Sequence, residues 1–82
     1  MDILVHFGAP QAASENRALI TLTMVTSEGH QVGMQATVNF ALTPANALAD
    51  IKLQARRALE AHIGRTLTAA DRAFAIGGIT QF

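Results

Sequence analysis

Two consecutive segments, Ala18 to Thr26 and Val32 to Leu42, carry apolar side chains at alternate positions, the period expected of β-strands. Ile20, Leu22 and Met24 share one side of the first segment, and Met34, Ala36, Val38 and Phe40 share one side of the second. The opposite sides read Leu19, Thr21, Thr23 and Val25, then Gly33, Gln35, Thr37, Asn39 and Ala41, with no ionisable group among them. Ser27, Glu28, Gly29 and His30 supply the turn of a hairpin. A two-residue turn at Glu28 and Gly29 would set Leu22 against Gln35 and split the apolar face. The pattern therefore predicts a three-residue loop, Glu28 to His30, or a bulge, with Met24 opposite Met34, Leu22 opposite Ala36, Ile20 opposite Val38 and Thr21 opposite Thr37.

Upstream, Ile3 to Phe7 reads as a strand, with Ile3, Val5 and Phe7 on one side and Leu4 and His6 on the other. Residues 8–16, rich in Ala, Pro, Ser, Glu and Asn, are expected to form a loop. Downstream, Thr43 is a good N-cap and Pro44 suits the first helical position, whose N–H has no intrahelical partner. The helix is predicted from Pro44 to about Ile63, with Gly64 as its left-handed terminator. Leu48, Ile51, Ala55, Leu59, His62 and Ile63 fall on one side at helical spacing, with Ala47 and Ala58 beside them. Leu53 breaks the pattern and points among Asn46, Ala49, Arg57 and Glu60.

For the C-terminal segment, residues 65–82, the favoured reading is a short helix opened by a Thr68 to Asp71 capping box and running to about Ala75, then a docked tail ending in Ile79 to Phe82. Phe74, Ile76 and Ile79 also suit a strand bent at Gly77 and Gly78. The fold class that results is α+β in a single domain, residues 1–82. Its expected core is an antiparallel sheet of three strands, or four if the C-terminal segment joins, with one long amphipathic helix on one face in the order β-β-β-α.

Composition sharpens this picture. Half of the 82 residues are hydrophobic and 15% are charged, against a usual charged fraction of about 25%. A chain this small hides a limited share of its surface, so the composition favours association with another copy or another protein. Six basic and six acidic residues balance, leaving no global field to draw in polyanions or anionic membranes. With no cysteine there is no disulfide, thiolate nucleophile or Cys-based zinc site. Ile3 to Phe7 is too short for a signal-peptide core, and no apolar run reaches membrane-spanning length. A cytoplasmic protein is expected.

No catalytic constellation emerges. His6, His30 and His62 belong to separate elements and form no HxH or HExxH pair. Asp50 and Glu60 lie well apart on the helix, and the Gly77–Gly78 pair lacks a phosphate-loop pattern. The expectation is a protein that is not an enzyme and carries no cofactor or metal. Lys52, Arg56 and Arg57, extended by Arg65 and by Arg17 if it lies close enough, give the helix a basic flank that suits a small nucleic-acid-binding regulator. Glu60 stands three residues from Arg57 and four from Arg56, however, and local ion pairing accounts for that flank more simply.

A single helix covers one side of such a sheet. The uncharged bare side, or an unpaired edge, is therefore expected to bind a copy of the chain, as a dimer or larger homo-oligomer, or another protein. The contact residues expected are Leu19, Thr21, Thr23, Gln35, Thr37 and Asn39, with Leu53 as an outlying contact.

Overall fold

A computed structural model describes residues 1–75 and 78–80, with side chains through residue 74. Strands β1 (Asp2–Phe7), β2 (Gln11–Ser14), β3 (Arg17–Thr26) and β4 (Gln31–Asn39) precede helix α1 (Pro44–Ile63), and β5 (Arg72–Ala75) and β6 (Gly78–Thr80) follow it. The fold is α+β, with strands leading into the helix as the pattern predicts. All the strands belong to one mostly antiparallel sheet.

The centre of that sheet is β3, the longest strand. One of its edges bonds β4 along its length. The other is shared end to end by β1, which pairs with Thr26 to Leu22, and β2, which pairs with Leu19 to Arg17. Residues 8–16 are thus not a simple loop. Beyond Gly8, whose N–H bonds the Thr21 carbonyl at 2.7 Å, the chain rejoins the same strand as β2. Composition pointed to a loop because residues 8–16 are rich in Ala, Pro, Ser, Glu and Asn, and the strand that forms there is wholly exposed, so it leaves no alternating apolar pattern in the sequence.

The hairpin keeps the predicted loop length but moves it one residue earlier. Thr26 bonds the His30 carbonyl, and the three-residue loop Ser27 to Gly29 closes on Gly29 at φ 87°, the left-handed value glycine supplies without strain. The register consequently shifts by two. Leu22 faces Met34, Met24 faces Val32, Ile20 faces Ala36 and Thr21 faces Gln35 rather than Thr37. A shift of two preserves which side each residue occupies, so both predicted faces survive.

Helix α1 begins and ends where its caps place it. Thr43 Oγ1 accepts from the Asn46 N–H at 3.3 Å, and Gly64, at φ 77°, donates to the Glu60 carbonyl at 2.9 Å. Its Ala55 and Leu59 are buried against Ile3, Val5, Leu22, Met24 and Ala36, and Leu67 and Ala73 complete the core. Leu48 and His62, at opposite ends of the predicted stripe, stay exposed.

The short C-terminal helix does not form. Its capping-box bonds do: the Ala70 N–H donates to Thr68 Oγ1 at 3.3 Å, and the Thr68 N–H to Asp71 Oδ2 at 2.9 Å. They close a turn instead, with the Asp71 N–H on the Thr68 carbonyl. Strand β5 then pairs parallel to β1, placing Phe74 beside Leu4, and β6 pairs antiparallel to β5. Ile76, Gly77 and the tail beyond Thr80 lie outside the described residues. Among the described residues no helix is long and apolar enough to cross a membrane.

Candidate functional site: the open sheet face

Strand alternation divides the sheet cleanly. Even-numbered residues of β3 and β4, with Ile3 and Val5 of β1, face the helix, and odd-numbered residues of β3 and β4 turn away from it. The six sheet residues expected to bind a partner therefore lie together. Leu19 sits opposite Thr37, Thr21 opposite Gln35, Thr23 opposite Gly33, and Asn39 opposite Arg17 at the margin. No described element of the chain covers them. Leu53 does not join them, because its helix packs on the other face and it projects outward from that layer.

β1 and β5 extend the same face. Leu4 pairs with Val25 on one side and Phe74 on the other. Leu4 is 46% exposed, Val25 39% exposed and Phe74 half-buried. The open face thus has an apolar portion, Leu4, Val25 and Phe74, joined to a neutral polar portion of threonines and glutamines. The sequence held a signal for the apolar portion in the Leu4 and His6 side of β1 and in the strand reading of Phe74. Favouring a helix for residues 68–75 hid it. Among the described residues, His6 is the ionisable side chain in the interior of this face; Asp2, Arg72 and Arg17 stand at its rim.

Strand β4 is one free edge of the sheet. Thr26 bonds His30 and Phe40 bonds Asn16, so even positions of the ladder carry the inter-strand bonds and odd positions of β4 turn their N–H and C=O groups outward. Helix α1 occupies one such position. The Thr37 N–H donates to Gln54 Oε1 at 2.9 Å, and Gln54 Nε2 donates to the Thr37 carbonyl at 2.9 Å and to Asp50 Oδ2 at 3.1 Å. Gln54 therefore bonds Thr37 as a neighbouring strand would. Along Gln31 to Gln35 the edge has neither Lys nor Pro, the usual guards of an unpaired strand.

The basic flank is partly consumed inside the molecule. Arg56 pairs with Glu60 at 3.3 Å and donates to the Leu67 carbonyl at 3.0 Å, while the Leu67 N–H reaches Glu60 Oε2 at 2.7 Å. That N–H, ahead of Arg56, holds the Glu60 carboxyl below its usual range. Arg65 grips Asp71 with two bonds, at 2.9 and 3.1 Å, and lies 4.0 Å from Glu28. Arg65, then the Thr68 N–H, hold the buried Asp71 carboxylate well below the usual range, and the Met1 ammonium adds a contact at 3.3 Å. Among the described residues, Lys52 and Arg57 have no ion-pair partner. Arg17 lies at the end of β3, on the face turned away from α1, so it does not extend the helix's basic flank.

Other chemistry is sparse. The His30 and His62 rings meet edge to face with centroids 5.8 Å apart, joining the hairpin loop to the helix end. Sequence spacing had no means of showing that contact. Among the described residues no three His, Asp or Glu side chains are grouped so as to hold a metal ion. An open groove of about 470 Å³ lies where β4 passes into α1, lined by Val38, Phe40, Leu42, Leu48 and Ile51 among others.

Comparison with protein-family models, curated proteins and solved structures finds no match. The functional reading consequently rests on the open face.

Proposed function

We propose that this chain is a non-enzymatic protein-interaction or assembly module, at work in the cytoplasm, which binds a copy of itself or another protein through the open face of its sheet. The supporting observation is the composition of that face. Leu4, Val25 and Phe74 lie beside Leu19, Thr21, Thr23, Gln35 and Thr37, and among the described residues the ionisable side chains of the face are His6 and those at the rim. A solvated sheet face normally alternates in polar and charged side chains. Here apolar and neutral groups occupy that position, and contact with another surface removes the apolar area from water at roughly 25 cal/mol per Å².

Site-specific photo-crosslinking in the native cell tests this whatever the identity of the partner. A photoreactive side chain at Thr21 or Gln35 should give adducts of discrete mass, and one at Asn46 or Ala61 on the helix should not. Equal labelling from all four positions, or none from the sheet positions, would refute the proposal.

A further inference from the structure

We infer that the partner of the open face is a second copy of this chain, stacked sheet against sheet about a two-fold axis with Leu4, Val25 and Phe74 within the contact. The inference rests on the interaction reading above and adds the identity of the occupant.

Two observations favour a copy, and the first is area. β3 and β4 are 10 and 9 residues long, about 30 Å at roughly 3.3 Å per residue. Three lanes, β4, β3 and the β1–β2 line, at about 4.8 Å spacing give a flat footprint of about 450 Å² before β5 is added. Projecting side chains raise the accessible area above that footprint. The face thereby approaches the roughly 800 Å² per partner of a specific interface.

Charge is the second observation. A foreign partner is commonly selected by a complementary charge pattern, and among the described residues the interior of this face holds no Asp, Glu, Lys or Arg. A self-stack needs no such pattern, since neutral side chains meet neutral side chains wherever the axis falls. At the rim, Asp2 and Arg72 are adjacent in register. Both signs are thus present at one place, and a two-fold that brings rim to rim can set opposite charges together.

The test combines oligomeric state with one distance. Sedimentation equilibrium from about 1 to 100 µM should show a reversible dimer. Leu4→Glu should weaken it at least tenfold, and the milder Leu4→Thr should do so measurably without disturbing the fold, because Leu4 is exposed in the single chain. The chain has no cysteine, so Leu53→Cys accepts one spin label on the far side of α1. Sheets stacked about 10 Å apart with helices outermost put the two labels beyond about 40 Å, whereas pairing through the β4 edges places both helices on one side and the labels closer than about 30 Å.

A wild type that stays monomeric throughout overturns the second-copy inference alone, and crosslinking then decides whether another protein takes the face. A dimer indifferent to both Leu4 variants, or one with the short label distance, shows assembly through a different surface and overturns this inference together with the face reading.

Discussion

Gln54 bonds Thr37 in the manner of a missing strand, and its removal should cost more than an ordinary helix surface change. Gln54→Ala deletes two 2.9 Å bonds to the Thr37 backbone and the 3.1 Å bond to Asp50. At about 0.5–1.5 kcal/mol net per neutral bond, three bonds amount to roughly 1.5–4.5 kcal/mol. Water replaces part of this at half-buried Thr37, and freeing the glutamine side chain returns up to about 1.5 kcal/mol. A net loss of about 1–2 kcal/mol remains, or roughly 5–15 °C in Tm for a chain of this size.

Gln54→Glu is the sharper variant, because its shape is almost unchanged. At pH 7 the carboxylate still accepts from the Thr37 N–H. It cannot donate to the Thr37 carbonyl, however, and it faces the Asp50 carboxylate where an amide stood. Two like charges about 4 Å apart repel by about 1 kcal/mol in water and by up to about 4 kcal/mol near a protein surface. The variant should therefore lose about 2–3 kcal/mol at pH 7, more than the alanine. Near pH 4 the new side chain regains a proton and a donor, and its deficit against the wild type at the same pH should shrink to about 1 kcal/mol. Thermal melts followed by circular dichroism, at one protein concentration and at both pH values, measure this. A glutamate variant as stable as wild type at pH 7, or a deficit that does not change with pH, would refute the edge-capping role.

The remaining expectations are briefer. Leu59 is fully buried, so Leu59→Ala should cost about 3 kcal/mol or more in chemical denaturation; a loss under about 1 kcal/mol would mean the helix is not packed as described. Gly64→Ala should destabilise by about 1 kcal/mol because its φ is 77°, while Gly33→Ala, with negative φ and nothing within 4 Å of the added carbon, should be neutral or stabilising; the reverse order would contradict both backbone assignments. Asp71→Asn should cost about 3 kcal/mol, the low end for breaking a buried pair because Arg65 is 42% exposed. The folded Asp71 pKa is depressed, so its contribution is complete above the unfolded value of about 3.9 and fades as pH falls from there toward the folded value. Urea midpoints between pH 7 and 2 should therefore converge for wild type and Asp71→Asn, and parallel curves would disprove the linkage.

Much of the fold was legible because its determinants are local. Thr43, Pro44 and Gly64 set the limits of α1 through bonds within one turn of the chain. The period-two pattern of β3 and β4 fixed which side each residue takes, and that assignment withstood a two-residue register shift because side-chain direction depends only on parity. What escaped was nonlocal. Strand β2 exists because β3 has a free stretch of edge beyond β1, which nothing in Gln11 to Ser14 announces. The Thr68 and Asp71 signal was real and its bonds form. Whether such a box opens a helix or closes a turn was decided by the free edge of β1, a strand at the far end of the chain that takes Arg72 to Ala75 as a parallel neighbour.

The same distinction explains what was seen and missed at the candidate site. Neutral Thr21, Thr23, Gln35 and Thr37 could be assembled from two adjacent strands and one hairpin. Leu4, Val25 and Phe74 meet only when strands from both ends of the chain lie side by side, so the apolar portion of the face required β5 to be recognised as a strand. The basic flank pairs locally at Arg56 and Glu60, as the spacing favoured, while the nonlocal part escaped: Arg56 and Arg65 are directed inward by Glu60, the Leu67 carbonyl and Asp71, which hold the link from helix to β5 in place. Charge spent on closing that link is charge withdrawn from any phosphate. Both layers of the molecule support the protein-interaction proposal: the helix layer uses much of its charge internally, and the described sheet layer presents a face with few ionisable groups to the outside.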